Sequence, residues 1–289
     1  MTTELIITGT GVPHLAPGRA GAGAFVRYGG IRLQFDAGRA TALRLCEAGV
    51  RAQDLTALFV THHHSDHLTG LTDLLFARWL ETHGRFSPLP VIAPLGPSTR
   101  FLERMMDPWA DDLDVRAAHV GRTDRPDPEV RGFEVTSGAR EVWADAGAGV
   151  RVTTCAVHHE PVSPAVAYRV DTPDGAVVIS GDTIVCNEVA ELATGVDVLV
   201  HEAFRRDFLR PFFARMPHLE HIASYHADTV ELGELAERIG VPRLVLTHLI
   251  PAPAPGFVTE EDFAADVRRG GYTGEVIVAS DLTRLTLPR

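Results

Sequence analysis

The chain has 289 residues, of which 45% are hydrophobic, so it can bury a sizeable core in one large domain or two small ones. Its 38 acidic residues outnumber its 27 basic ones, and the formal net charge is −11. This balance argues against broad electrostatic capture of nucleic acid or of an anionic membrane, because both need basic surface.

The N-terminus and the cysteines bear on the location of the protein. The opening MTTELIITGTG lacks a basic segment followed by a long apolar stretch, and no window reaches about 18 apolar residues, so we expect neither a signal peptide nor a membrane helix. Cys46, Cys155 and Cys186 are odd in number and far apart, which suits a reducing compartment better than a disulfide framework. We therefore expect a cytoplasmic protein without a membrane partner.

Short strands alternate with helices in the first half of the chain. Apolar runs bounded by glycine or proline predict strands at 4–11, 23–30, 31–38, 57–61 and 90–94. Helical periodicity predicts helices at 39–48, 68–83 and 98–106. Residues 107–131 are rich in Asp, Pro and Arg and show little periodicity, so we interpret them as a surface loop or insert.

The second half begins with a run of strands and then returns to alternation. The predicted strands are 132–136, 141–147, 150–159, 165–170, 176–182, 198–201, 243–247 and 275–279. The predicted helices are 208–215, 226–239 and 260–269. Two β-rich halves with helices outside favour an αβ/βα sandwich, of mixed α/β (α+β) class, over one doubly wound sheet. We expect a single domain over residues 1–289.

The stretch THHHSDH, residues 61–67, directly follows a predicted buried strand. In extended backbone, residues two apart point the same way, so His62 and His64 face one side and His63 faces the other. Asp66 and His67 can swing to the opposite side of the same point as the chain turns into a helix. The motif therefore offers two adjacent half-sites, whose imidazoles and carboxylate suit zinc, with manganese or iron as alternatives.

Further ligands are needed, and the same pattern of a buried strand followed by a ligand occurs three more times. AVHHEPV supplies His158 and His159, VVISGDT supplies Asp182, and LVLTHLIP supplies His248. A carboxylate such as Asp182 can bridge two metals. Asp36, in FDAG, is interpreted as ordering the nearby loop rather than as a ligand.

The combination of H-x-H-x-D-H, a later histidine, an aspartate after glycine and a C-terminal histidine resembles the metallo-β-lactamase superfamily. The opening TGTGVPHLAPGRAGAGAFVRYGGIRLQFDAG, the HEAF at 201–204 and the stretch YHADTVELGELAERIGVPRLVLTHLIP are similar to its ribonuclease Z-like branch. The resemblance covers nearly the whole chain and implies a four-layer αβ/βα metallo-β-lactamase sandwich.

The resemblance also implies a ligand set. One metal would be held by His62, His64 and His159, and the other by Asp66, His67 and His248. Asp182 would bridge the two ions, with a hydroxide between them. His159 is preferred because HEPVSPAVAYRV resembles a motif of the branch, but the adjacent His158 stays open as an alternative.

The expected chemistry is metal-assisted hydrolysis. Two divalent ions lower the pKa of bound water toward ~7, and the charges of the implied site leave it net positive, which favours an anionic substrate. In the branch, the residues matching His226 and Glu202 are assigned proton donation, linked to the motif aspartate, here Asp66. A neighbouring carboxylate is expected to raise the pKa of His226. Capping of a helix by His226 is the competing interpretation, and His201 is a further candidate to position phosphate.

The function favoured by these residues is binuclear hydrolysis of phosphodiester or related ester bonds in a small anionic or ester substrate. The alternative is ribonuclease Z-type processing of tRNA 3′ ends. Proteins of this branch usually carry a tRNA-binding arm between the third histidine motif and the bridging aspartate. Here only EPVSPAVAYRVDTPDGAVVISG, a plain hairpin, lies between His159 and Asp182, so a nucleic-acid partner is disfavoured but stays open.

Other classes remain open. Lactonases, sulfatases and organophosphate hydrolases share the same metal site, and the fold does not decide among them. A redox diiron protein would usually have a glutamate where His64 stands, and a non-catalytic metal-binding module would not need Glu202 and His226. Members of the branch often form homodimers, although no motif of the sequence identifies an interface.

Overall fold

The computed structural model describes residues 2–287, which form two sheets flanked by helices. The strands, in chain order, are β1 (Thr3–Gly9), β2 (Gly23–Tyr28), β3 (Ile31–Phe35), β4 (Ala57–Phe59), β5 (Pro90–Pro94), β6 (Glu129–Phe133), β7 (Arg140–Asp145), β8 (Val150–Ala156), β9 (Val166–Thr172), β10 (Gly175–Ile179), β11 (Val198–Phe204), β12 (Arg243–Ile250), β13 (Glu275–Val278) and β14 (Arg284–Leu287).

The helices pack outside these sheets. They are α1 (Thr41–Glu47), α2 (Ser65–Leu68), α3 (Leu71–Glu81), α4 (Pro97–Leu102), α5 (Ala110–Val120), α6 (Asn187–Leu192), α7 (Arg206–Leu209), α8 (Pro217–Ala223), α9 (Thr229–Ile239) and α10 (Glu260–Arg269). Short 3₁₀ segments lie at Ala52–Asp54, Asp107–Trp109 and Arg210–Phe212. None of the helices within residues 2–287 is long and apolar enough to cross a membrane.

The strand order is β14-β1-β2-β3-β4-β5-β6 in the first sheet and β13-β12-β11-β10-β9-β8-β7 in the second. Strands β3 to β6 run parallel, and so do β10 to β13. Loops at the carboxyl ends of parallel strands are where α/β proteins place their ligands. Each sheet therefore has one set of loops in which a ligand site can form.

Three apolar cores define four layers. Between the sheets, Phe35 and Phe59 stack with ring centroids 4.9 Å apart and both contact the buried Tyr168 ring. Trp79 belongs to the core that joins the first sheet to its helices, and Phe263 to the core that joins the second sheet to its own. The predicted four-layer αβ/βα sandwich is confirmed.

Local capping explains which helix boundaries the sequence predicts correctly. The helix at 260–269 has the predicted bounds because Thr259 and Asp262 form a reciprocal capping box. The helix predicted at 226–239 instead begins at Thr229, since the carboxylate of Asp228 accepts hydrogen bonds from two backbone N–H groups of the first turn. His226 therefore lies in the preceding loop and does not cap this helix.

Residues 107–131 are not a loop, because they contain α5 and the start of β6, and their status as an insert stays a prediction. Acidic residues occupy the first turn of α5, and Gly121 ends it in a left-handed conformation with φ of 69°. Leu113 is the buried side chain of this helix, so its sequence carries no repeated apolar stripe. The assignment of residues 1–289 to a single domain stays a prediction.

Close backbone packing around Gly70 holds the histidine motif against the first sheet. The helix predicted at 68–83 is α3, which begins at Leu71 and ends at Glu81, and a separate short helix, α2, ends before it at Leu68. The Gly70 N–H donates to the carbonyl of Ala37 at 2.9 Å, and the Ala37 N–H donates to the carbonyl of His67 at 2.8 Å. A Cβ at Gly70 would overlap the carbonyl oxygen of Gly38, and one at Gly38 would overlap that of Asp66.

Replacing Gly70 with Ala should therefore lower the free energy of unfolding by about 1–3 kcal/mol, the usual cost of overpacking. Urea denaturation with a chelator present measures this cost without a contribution from metal. Gly30→Ala is the matched control, because a Cβ there meets nothing within 4 Å. Equal stability of the two variants would contradict the packing argument.

Candidate metal centre

Histidines and carboxylates from both sheets meet at the ends of their strands. The first sheet contributes the motif after β4, with His64 immediately before α2 and Asp66 and His67 inside it. The second sheet contributes His159 after β8, Asp182 after β10 and His248 within β12. All of these side chains except the partly buried His64 are buried.

A β-bulge directs His248 into this cluster. The pairing of β12 with β11 shifts between Glu202 and Ala203, whose partners are Thr247 and Leu249, so His248 is the extra residue. Its φ is 45°, and a bulge re-aims a side chain in this way. The strand predicted to end at 247 therefore continues past the ligand, while the side chain still reaches the cluster.

Asp182 lies at the centre of the cluster. Around its Oδ2 atom are the Nε2 atoms of His67 and His248 at 3.4 Å, His159 at 3.8 Å and His62 at 3.9 Å. Asp66 Oδ2 lies 3.2 Å from His248 Nε2 and 3.7 Å from His67 Nε2. The carboxylate of Asp182 is thus close to histidines of both half-sites.

The side chains fall into two groups whose ligand atoms lie within 4.8 Å of one another in each group. One group consists of His62, His64, His159 and Asp182, and the other of Asp66, His67 and His248. The structure thus brings all seven predicted ligands together. A third group joins Asp182 and His248 to His226, so geometry alone would also permit His226 as a ligand.

Two further histidines, His63 and His158, are adjacent in sequence to predicted ligands, but the structure keeps both outside the cluster. His63 is in neither group within the described chain. His158 has a side chain 46% exposed, with Nε2 3.2 Å from Glu188 Oε1, and it too is outside both groups. The geometry therefore favours His159 over His158.

Asp36 fixes the orientation of one histidine in each half-site. Its carboxylate accepts hydrogen bonds from the backbone N–H of Thr61 at 2.8 Å, the Thr61 hydroxyl at 2.7 Å and Nδ1–H of His67 at 2.7 Å. Because the Thr61 hydroxyl donates to Asp36, its oxygen is left to accept from Nδ1–H of His62 at 2.9 Å. Both histidines thereby donate through Nδ1–H and turn Nε2 toward Asp182, the arrangement typical of metal-binding histidines.

His159 is fixed in the same way by a backbone group. Its Nδ1–H donates to the carbonyl oxygen of Tyr225 at 3.0 Å, which leaves Nε2 facing Asp182. Neither Tyr225 nor Thr61 was singled out from the sequence. A carbonyl partner has no side-chain signal, but the threonine immediately before the histidine motif could have been noticed.

Several atoms of the cluster have no hydrogen-bond partner within residues 2–287. They include Nε2 of His62, Nε2 of His67 and Oδ1 of Asp182, all buried. Leaving a buried polar atom unsatisfied costs about 1–3 kcal/mol, so such atoms need a partner. Three of them directed to one place, among imidazole and carboxylate donors, fit a pair of divalent metal ions.

Burial and charge act in opposite directions on these groups. Burial lowers the pKa of His62 well below its usual value and that of His64 to about 4, which favours the neutral form that binds metal. Burial alone would also lower the pKa of His67, but Asp182 and Asp36 raise it well above its usual value. The carboxylates of Asp182 and Asp36 thus stabilise positive charge within the cluster.

His226 and Glu202 lie beside the metal cluster. Nδ1–H of His226 donates to Glu202 Oε1 at 2.7 Å, and the same oxygen accepts from the Thr183 backbone N–H at 3.1 Å. Burial lowers the pKa of His226, whereas we expected Glu202 to raise it. Burial and the charge of Asp182 raise the pKa of Glu202 well above its usual value.

His201 does not reach the site. It is fully buried, its Nδ1–H donates to the carbonyl of Glu202 at 2.8 Å, and burial lowers its pKa to about 4. It is absent from the lining of the cavity over the cluster, so the expectation that it positions phosphate is not supported.

A cavity of about 500 Å³ opens over the cluster. Its floor includes His64, Asp66, Asp182, His226 and His248. Its walls come from the loop after β1, from residues 209–225 and from the residues that end and follow β12. This volume is in the range of pockets that take a small molecule or one part of a larger one.

The sequence and the structure match known proteins over nearly their whole length. Residues 32–249 match the model of the beta-lactamase superfamily domain. Ribonuclease Z of Mycobacterium sp. (strain KMS) is 37% identical over 98% of this chain and 95% of the relative. Ribonuclease Z of Mycolicibacterium paratuberculosis is 36% identical over 98% of this chain and 97% of the relative.

Solved structures agree at the level of the fold. The metallo-beta-lactamase fold protein YhfI from Bacillus subtilis superposes with a TM-score of 0.72 at 19% identity, covering 99% of this chain and 100% of that one. The short form of human tRNase Z superposes with a TM-score of 0.68 at 21% identity, covering 99% and 100%. The chain belongs to the metallo-β-lactamase superfamily, in its ribonuclease Z-like branch.

Proposed function

We propose that this chain is a ribonuclease Z-type endonuclease, a binuclear metal hydrolase that cleaves a phosphodiester bond at the 3′ end of precursor tRNA. The observation that carries the proposal is the position of His226, held by Glu202 at 2.7 Å, directly beside the two groups of candidate ligands. The relatives named ribonuclease Z, more than a third identical over almost the whole chain, support the RNA substrate.

The sequence favoured a small phosphodiester or ester substrate over precursor tRNA, and this proposal reverses that order. A small phosphodiester stays the second candidate because of one feature, the hairpin of β9 and β10. Only Pro173 and Asp174 separate these strands, so the hairpin carries no arm. RNA would have to be held by other surfaces.

Arginines on the segment that covers the cavity offer such a surface. The chain contains no lysine, so phosphate contacts from permanently charged side chains must come from arginine. Arg210 and Arg215 are exposed on the segment between α7 and α8, and Leu209 of the same segment lines the cavity. Arg210 is ion-paired with Asp207 at 3.2 Å and would exchange this partner for a phosphate.

The two metal ions would be held by the two groups of ligands, with Asp182 shared between them. Five imidazoles and two carboxylates favour zinc, although manganese and iron also accept this donor set. When bound, two such ions polarise the phosphoryl oxygens and lower the pKa of water. Asp36, Thr61 and the Tyr225 carbonyl hold the ligand rings in place for this purpose.

His226 would supply the proton to the leaving oxygen. Its Nδ1–H is engaged by Glu202, so Nε2 is the nitrogen left for substrate in the cavity. Glu202 holds the orientation of the ring through this hydrogen bond. Because burial lowers the pKa of His226, the protonated ring gives up its proton readily. Asp66, next to His248, would keep the second group of ligands anionic.

The first prediction from the proposed function concerns metal content. Metal analysis of the purified protein should approach two ions per chain, and Asp182→Ala should lower the occupancy of both sites because the shared ligand is lost. His159→Ala should lose metal, whereas the adjacent His158→Ala serves as a matched control and should keep it. Normal metal content in Asp182→Ala would exclude a bridging role for this carboxylate.

The second prediction separates His226 from the ligands. His226→Ala should keep its metal and slow turnover by roughly 10²–10⁴-fold, the usual contribution of general acid catalysis. The loss should shrink for a nitrophenolate leaving group, which needs little protonation. His221→Ala, exposed on α8, is the control. Loss of metal from His226→Ala would make it a ligand, and an equal slowing for good and poor leaving groups would exclude proton donation.

The third prediction decides between the two candidate substrates. The metal-loaded protein should cut a precursor tRNA at its 3′ end, with affinity that falls as salt is added. Replacing Arg210 and Arg215 with Ala should weaken RNA binding and flatten the salt dependence by about one unit of slope per lost contact. Hydrolysis of bis(p-nitrophenyl) phosphate should be unchanged in this variant.

The control for this experiment is Arg104→Ala, which removes an arginine whose side chain is 81% exposed, beyond α4. A protein that hydrolyses the small diester at a rate independent of salt and leaves the precursor intact would favour the second candidate.

A further inference from the structure

Residues 206–224 form a small helical cap beside the metal cluster, made of α7, the 3₁₀ turn Arg210–Phe212 and α8. An apolar core joins the cap to the ends of β11 and β12. It contains Phe204, Leu209 and Ala223, with Phe208, Phe213, Ile222 and Ile250 packed against it. The guanidinium of Arg206 also donates to the carbonyl of Ala223 at 3.1 Å, which ties the two ends of the cap together. The cap is thus a built structural unit.

The cap turns an apolar face toward the cavity. Leu209, Leu219 and Ile222 line it, together with Val12 and Pro13 of the loop after β1. Beyond the metal cluster and His226, the polar lining comes from His14, Ser65 and Tyr225, and no lysine or arginine from residues 2–287 contributes to it. The wall is therefore unsuited to a second phosphate and suited to an uncharged group.

Tyr225 adds a flat surface at the junction between the cap and the metal cluster. Its ring lies 5.2 Å from the ring of His159 and 5.0 Å from that of His226, measured between centroids. The ring is partly buried and also lines the cavity. A substrate phosphate at the cluster would place the group attached to it next to this ring.

We infer that Leu219, Ile222 and Tyr225 form a subsite for the nucleobase adjacent to the scissile phosphate. The inference rests on the proposed phosphodiester chemistry of the site and adds a specificity-determining wall to it. Aromatic rings stack on bases regardless of sequence, and the apolar side chains cover the rest of the base. A cavity of about 500 Å³ accommodates one nucleoside but no duplex.

Binding of product-like phosphates tests this subsite without turnover. Isothermal titration of the metal-loaded protein should show adenosine 5′-monophosphate binding at least about tenfold more tightly than methyl phosphate, from stacking of the base. The double variant Leu219→Ala/Ile222→Ala should lose most of this preference while its affinity for methyl phosphate and its metal content stay unchanged, and Tyr225→Leu should also lose most of the preference. The backbone carbonyl that holds His159 is retained in all of them.

Met216→Ala is the matched control, because Met216 is an exposed apolar residue of the cap that does not line the cavity. It should keep the full preference for the nucleotide. Equal affinity of the wild type for both phosphates, or a preference that survives both sets of substitutions, would overturn the subsite.

Hexyl phosphate separates a base-binding wall from a general apolar one. Binding of hexyl phosphate as tightly as the nucleotide would overturn the assignment to a nucleobase. Cleavage of precursor tRNA is measured separately. Absence of that cleavage together with an intact nucleotide preference would refute the proposed function while leaving the subsite standing.

Discussion

The architecture of the site depends on the carboxylate of Asp182. Four histidine nitrogens from both sheets surround its Oδ2 atom at 3.4 to 3.9 Å. Burial opposes ionisation of this group, but His248 and His67 lower its pKa well below its usual value. A buried anion of this kind is stable only beside positive charge, so the surrounding loops have to deliver cationic groups or metal to one point.

Local sequence patterns were sufficient to predict most of the residues around Asp182. The spacing in the motif at 61–67 offers four candidate ligands, and the later candidates, His158 or His159, Asp182 and His248, follow or interrupt an apolar strand. The family resemblance then implied His159 and the division into two ligand sets. The ends of buried strands can be located in the amino-acid sequence because the hydrophobic runs stop there. The four-layer fold follows from the same alternation of strands and helices, which explains why both could be predicted together.

What the sequence did not reveal depends on long-range contacts. The Tyr225 carbonyl that holds His159 is 66 positions away in the chain, and every residue has such a carbonyl. The bulge that aims His248 appears only when β12 pairs with β11. Burial reversed the expected pKa shift of His226, because the sequence shows its carboxylate partner but not how much water surrounds it. The helix predicted at 208–215 lies within the cap, where the structure instead has α7 and a 3₁₀ turn. Helix α8 was not predicted, since it is short and mostly exposed.

The contacts of Asp36 make the two half-sites depend on one carboxylate. Through Thr61 it orients His62 in one half-site, and directly it orients His67 in the other. Loss of this carboxylate would therefore leave one ring in each half-site free to turn, so a single change behind the ligands would disorder both metal positions at once.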